Sequence, residues 1–179
     1  MKLKLLLLVL ALQCGWIGYT VATQELALAR GQVILLETQP LDPRDPLRGD
    51  YVRLNYKISD VRRNLLIPPV AGEVRAGTAV YVALAPCRTN EFWGITRASL
   101  VRFTPANNEV LLHGKSEWSW RNDTQSIHVE YGIERFFVAE GRGNPTGKLT
   151  VQAAISKSGR ASIKEVLVDG KPYAEVMRK

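Results

Sequence analysis

The chain has 179 residues, of which 46% are apolar and 23% charged, and its formal net charge is +7. This length supports one ordinary core and not two comfortable domains, and this composition excludes a disordered chain. The basic excess is scattered and carries no nucleic-acid-binding motif, so nucleic acid is set aside; it reads as a solvated surface suited to an anionic membrane or an acidic partner.

In residues 1–22 the only charges are Lys2 and Lys4, and Leu5 to Ala22 runs without one. As a helix this run covers about 27 Å, close to the hydrocarbon thickness of a bilayer. Trp16 and Tyr19 sit near its far end, where amphipathic rings favour the interface. Residues 1–22 are therefore predicted to be a membrane anchor, with the lysines in the cytoplasm and everything after them outside it. The competing reading is a cleaved signal peptide, with Leu5–Leu12 as its apolar region and Thr20-Val21-Ala22 as its cleavage site. Lipidation at Cys14 is opposed by Gln13 directly before it. All three readings export the rest of the chain. Cys87 lies in the exported part, so no disulfide with Cys14 is predicted.

Residues 23–32 form a juxtamembrane linker able to extend the helix by two turns before Gly31 stops it. Residues 33–179 are predicted to form the exported β-rich domain. Val33–Glu37 is a short apolar run that ends at a proline-rich corner, Pro40 to Pro46, where neither a helix nor a central strand fits. Tyr51–Ile58 alternates cleanly, with Val52, Leu54, Tyr56 and Ile58 on the buried face and Tyr51, Arg53, Asn55 and Lys57 on the wet one. Asp60–Gly77 reads as a long connection. Strands are predicted at Thr78–Ala85, Phe92–Phe103, Glu109–Leu112, Glu117–Arg121 and Ser126–Tyr131, with a turn at Asn107-Asn108. The chain closes with a hairpin, Leu149–Ile155 and Ser162–Val168 around Ser158-Gly159-Arg160, and a turn at Asp169-Gly170. The fold class is mainly antiparallel β, a small sandwich or partly open barrel behind one N-terminal transmembrane helix.

Gly49-Asp50-Tyr51-Val52-Arg53-Leu54-Asn55-Tyr56 carries every fixed position of the signature for which the GDYXXLXY family is named. Upstream the similarity takes in Asp42-Pro43-Arg44 and Leu47-Arg48. Downstream a second block, Tyr131-Gly132-Ile133-Glu134-Arg135-Phe136-Phe137-Val138 with Glu140-Gly141, also resembles that family, with Ala139 where a proline is usual. The resemblance covers most of the chain. It implies an exported, membrane-anchored protein with no assigned activity, and a polytopic membrane protein as partner.

The same residues have a physical reading. Gly49 permits a positive φ at the strand entrance, and Asp50 can accept backbone N–H groups in an Asx-type turn. Leu54 and Tyr56 point inward. The motif is then a rigid corner launching a strand; the functional alternative has Asp50 and Tyr51 facing a groove. A bidentate contact between Arg135 and Asp50 would clip the two blocks together.

Other chemistry finds less support. His113 and His128 lack metal-ligand spacing, so no metal or other cofactor is expected. Asp123, Glu130, Glu134 and Glu140 could supply a carboxylate pair for glycoside hydrolysis, but nothing sets them apart from surface acids. Trp118 and Trp120 share one face of a predicted strand, as core residues or as an aromatic platform for a glycan or a membrane interface. Cys87 reads as a small buried apolar residue. The expectation is an accessory or interaction protein rather than an enzyme, with an envelope-polymer hydrolase or a glycan- or small-molecule-binding domain as the alternative.

Overall fold

The structure is a computed structural model and describes residues 2–39, 51–70, 72–119, 125–138 and 147–176. Lys2–Arg30 is one helix, α1, with no acidic residue in its first turn and Arg30 in its last, where a cation suits the helix dipole. Apolar side chains stand on every side of it: Leu5 is 66% exposed and Leu12 70%. A helix apolar all round needs an apolar medium about it. From Lys4 to Arg30 it is long and apolar enough to cross a membrane, a character that signal sequences share. It runs on through Thr23–Arg30 and stops at Gly31.

Strand β1 (Gln32–Gln39) begins at once. It is followed by β2 (Tyr51–Arg53), β3 (Asn55–Tyr56), β4 (Asp60–Arg62), β5 (Ala79–Pro86) and β6 (Trp93–Ser99). Then come β7 (Val110–Ser116), β8 (Ser126–Glu130), β9 (Arg135–Phe137), β10 (Leu149–Ile155), β11 (Ala161–Val168), β12 (Lys171–Pro172) and one helical turn, α2 (Tyr173–Val176). Among the described residues these strands form two five-stranded sheets, ordered β12-β11-β10-β1-β3 and β4-β8-β7-β5-β6, and a separate β2–β9 ribbon. Every strand pairing is antiparallel. Ile34 and Leu36 from β1, Val82 and Leu84 from β5, Leu112 from β7 and Val151 from β10 belong to one continuous core. The fold is mainly β, antiparallel and barrel-like, behind an N-terminal apolar helix.

The closing hairpin is the most local element and matches the sequence pattern. β10 and β11 turn through residues 156–160, and Asp169-Gly170 makes the following turn with both residues at positive φ. Elsewhere the structure corrects the sequence reading. Tyr51–Ile58 keeps the expected alternation, with Val52, Leu54, Tyr56 and Ile58 buried, but it is not one strand. The chain changes partners at Leu54, whose N–H donates to Glu134 O at 2.7 Å, and a 3-10 turn follows at Lys57–Ser59. Asp60–Gly77 is not a bare connection either: β4 pairs with β8, and Leu66 bridges Ala98. With Val61 as its single buried side chain, β4 is too short to show a period.

β7 continues through Gly114 to Ser116, past the predicted limit at Leu112, while Glu117 and Trp118 lie in a bend rather than a strand. Trp118 is 64% exposed, which overturns its reading as a core residue; Trp120 lies outside the described residues. Cys14 is exposed on α1 and Cys87 is half-buried beside Gly94.

Candidate functional site: two motif blocks joined at a corner

Tyr51 stands opposite Phe137, Val52 opposite Phe136 and Arg53 opposite Arg135. The two sequence blocks thus meet as the β2–β9 ribbon. Gly49, Asp50, Glu140 and Gly141 lie outside the described residues, and the expected Arg135–Asp50 contact lies there with them.

Beyond the ribbon two tyrosines cross between the blocks. Tyr56, fully buried, donates its phenolic hydrogen to Ile133 O at 2.6 Å. Tyr131 donates to Ile58 O at 2.7 Å. Burial, with Glu134 adding a smaller contribution, pushes both phenols far above their ordinary range, so both remain neutral donors. Each satisfies a backbone carbonyl that no regular ladder reaches, as buried polar groups require.

Glu134 folds back on its own turn. One carboxylate oxygen accepts the Tyr131 N–H and the other accepts the Gly132 N–H at 2.9 Å. Gly132 holds φ at +83°, a left-handed conformation that costs a residue with a side chain about 1–2 kcal/mol. Tyr-Gly-Ile-Glu is therefore a capped turn, and Glu134 is committed to backbone amides. Glu134 lies in the turn before β9 and points into it, whereas Arg135, the first residue of β9, is exposed. Leu54 is buried, Phe136 is half-buried against the Tyr173 ring at 5.2 Å, and Phe137 is 77% exposed.

A chain of polar groups continues from the ribbon. Arg53 Nη2 donates to Glu117 Oε1 at 3.3 Å, and Glu117 Oε2 lies 3.6 Å from His128 Nε2. His128 Nδ1 is 2.8 Å from Asp60 Oδ1. The Arg53–Glu117 contact offsets the repulsion between Arg53 and Arg135, which face each other in register. Both ring nitrogens of His128 thus face carboxylates, whereas the His113 ring lies tilted against Tyr81 with centroids 5.0 Å apart. The described residues contain no group of three or more His, Cys, Asp or Glu arranged to hold a metal ion.

Gly114 is the site residue that the sequence does not reveal. A Cβ there would lie 2.5 Å from Val129 Cγ1, 2.7 Å from Glu130 O and 2.9 Å from Tyr131 Cδ1. β7 passes directly under the second block. The signal is a glycine inside a strand, which marks close backbone approach but not what approaches.

An apolar helix followed by a small antiparallel β-domain, in which the described parts of the two motif blocks pair as a ribbon and exchange two tyrosine hydrogen bonds, defines the class. The family model described as "GDYXXLXY protein" matches residues 13–166, and the chain belongs to that family. No curated protein and no solved structure matches it.

Proposed function

We propose that this protein is a membrane-anchored, extracytoplasmic accessory subunit, in the periplasm or its equivalent, that docks on a polytopic membrane protein and has no catalytic role. The observation that supports this reading is the outer side of the joined blocks. Phe137 is 77% exposed, two positions from exposed Arg135, and Arg53 leads through Glu117 to Trp118, itself 64% exposed. A lone exposed apolar residue needs no explanation. Aromatic and arginine side chains running together have the composition of interface hot spots. The polytopic nature of the partner is carried over from the family resemblance.

The position of the ribbon along the chain supports one mode of docking. β1 carries the chain up to about 26 Å from the end of α1 before Gln39 pairs with Asn55, two residues from the ribbon. The ribbon adjoins the end of β1 remote from α1, which supports docking on the partner's extracytoplasmic loops rather than its spans. Of the acids available to a hydrolase, Glu134 is bound to its own backbone instead of facing a substrate. Glycan binding at Trp118 is the second reading, favoured by that residue's exposure.

The test is gentle detergent extraction of tagged full-length protein carrying a photo-crosslinker at Phe137, followed by mass spectrometry. A stoichiometric polytopic protein crosslinked through an extracytoplasmic loop is the expected result. Recovery of the protein alone overturns the accessory role. Retention on envelope polysaccharide that is lost in Trp118→Ala would establish the second reading instead.

A further inference from the structure

The way the chain leaves α1 creates a second surface at the base of the domain. Gly31 alone separates the helix from β1, and Gln32, the first residue of β1, stands opposite Ile155, the last of β10. Both β10 and β11 touch α1. The turn between them, residues 156–160, therefore runs level with the last turn of the helix. It is well built. Ser156 N donates to Arg160 O at 2.9 Å, Gly159 N donates to Ser156 O at 2.9 Å, and His113 N donates to Gly159 O at 2.8 Å.

The side chains left outward there are cationic. Lys157 and Arg160 are exposed on the turn, Arg30 is exposed at the end of the helix, and exposed Arg102 reaches Lys157 O at 3.3 Å. Val101, 70% exposed, directly precedes Arg102, and Val33, 41% exposed, is the second residue of β1 after Gly31. Residues 28–33, 99–103 and 156–161 contain no Asp or Glu.

Height follows from the helix. The uncharged run ends at Ala22, and the turns from Thr23 to Arg30 rise about 12 Å more. The headgroup layer of one leaflet accounts for roughly 5–7 Å of that. Arg30 and the adjoining turn then stand within a Debye length, about 8 Å, of the headgroup charges.

We propose that this basic, valine-edged base binds anionic lipid headgroups, so that the domain rests on the bilayer in one orientation instead of swinging on its helix. The inference rests on α1 crossing the bilayer and is independent of any protein partner. Each cation near an anionic surface strengthens such contact about fivefold, and added salt screens the effect.

The full-length protein alone, in nanodiscs of phosphatidylcholine with or without one third phosphatidylglycerol, provides the test by hydrogen–deuterium exchange. Peptides covering 100–103 and 156–160 are expected to exchange at least about fivefold more slowly in the anionic discs, with the difference lost at high salt. The triple variant Arg102→Gln, Lys157→Gln, Arg160→Gln should lose that slowing while β10 and β11 keep their own protection, which shows that it is folded. Equal exchange in the two kinds of disc overturns the proposal, as does slowing that survives in the folded triple variant. Protection that appears only when a protein partner is added would assign the surface to an acidic protein and overturn it as well.

Discussion

The phenol of Tyr56 donates to the carbonyl oxygen of Ile133 across 2.6 Å, joining residues 77 positions apart in the chain. Tyr56→Phe keeps the ring and removes only this bond, leaving a buried carbonyl without its donor. The expected loss of stability is about 1–3 kcal/mol, read from denaturant unfolding of the full chain in detergent.

Tyr131→Phe removes the reciprocal bond to Ile58 and should cost a similar amount. Both bonds hold the same two segments, so the double variant should not be additive. A coupling of about 0.5 kcal/mol or more is expected from the double-mutant cycle. Strict additivity would mean that the two phenols stabilise the junction independently of one another.

Glu134→Gln tests the capped turn. Its carboxylate accepts two amides, whereas a Gln side chain offers one carbonyl and turns an NH2 toward the other N–H. A destabilisation of about 1.5–3 kcal/mol is expected, the range for hydrogen bonds to a charged group. Amide exchange at Tyr131 and Gly132 should accelerate first. A hydrolase using Glu134 as a free acid would instead lose activity and keep its stability.

Gly114→Ala places a methyl group against Val129, Glu130 O and Tyr131. Backbone cannot yield as a long side chain does, so overpacking of about 1–3 kcal/mol is expected by thermal or denaturant unfolding. Because the clash lies under the second block, β8 and the Tyr131 turn should lose exchange protection before β10 and β11 do.

Acid should weaken the fold through Glu37. Lys148 and Lys57 each lie 2.8 Å from its carboxylate and hold it below the ordinary carboxylate range, most of all through the hydrogen bond from Lys148. A carboxylate that is harder to protonate when folded contributes stability that is fully present above its unfolded value and is lost as pH falls through the folded one. The stability difference between the native chain and Glu37→Gln should therefore shrink below about pH 4.5. Both lysines are more than half exposed, so added salt should shrink the same difference at neutral pH.

Much of this architecture is legible in the sequence because it is local. An uncharged apolar run needs no tertiary partner to be recognised as a helix suited to a bilayer. The alternation of Val52, Leu54, Tyr56 and Ile58 shows which side chains are buried, since a period of two follows from strand geometry alone. The hairpin around residues 156–160 is written in adjacent residues, and the signature at residues 49–56 marks the family.

Tertiary structure decided what those residues do to one another. The break at Leu54 depends on Glu134, far along the chain, so no local pattern could place it. The passage of β7 through Gly114 depends on Tyr131 lying over it. Trp118 looked like a core residue by type, yet β7 ends at Ser116 and leaves it in a bend facing solvent. Burial of a side chain is a property of a period and can be read along the chain. Its partner is a property of long-range pairing, and in a β-domain only the closed fold assigns it.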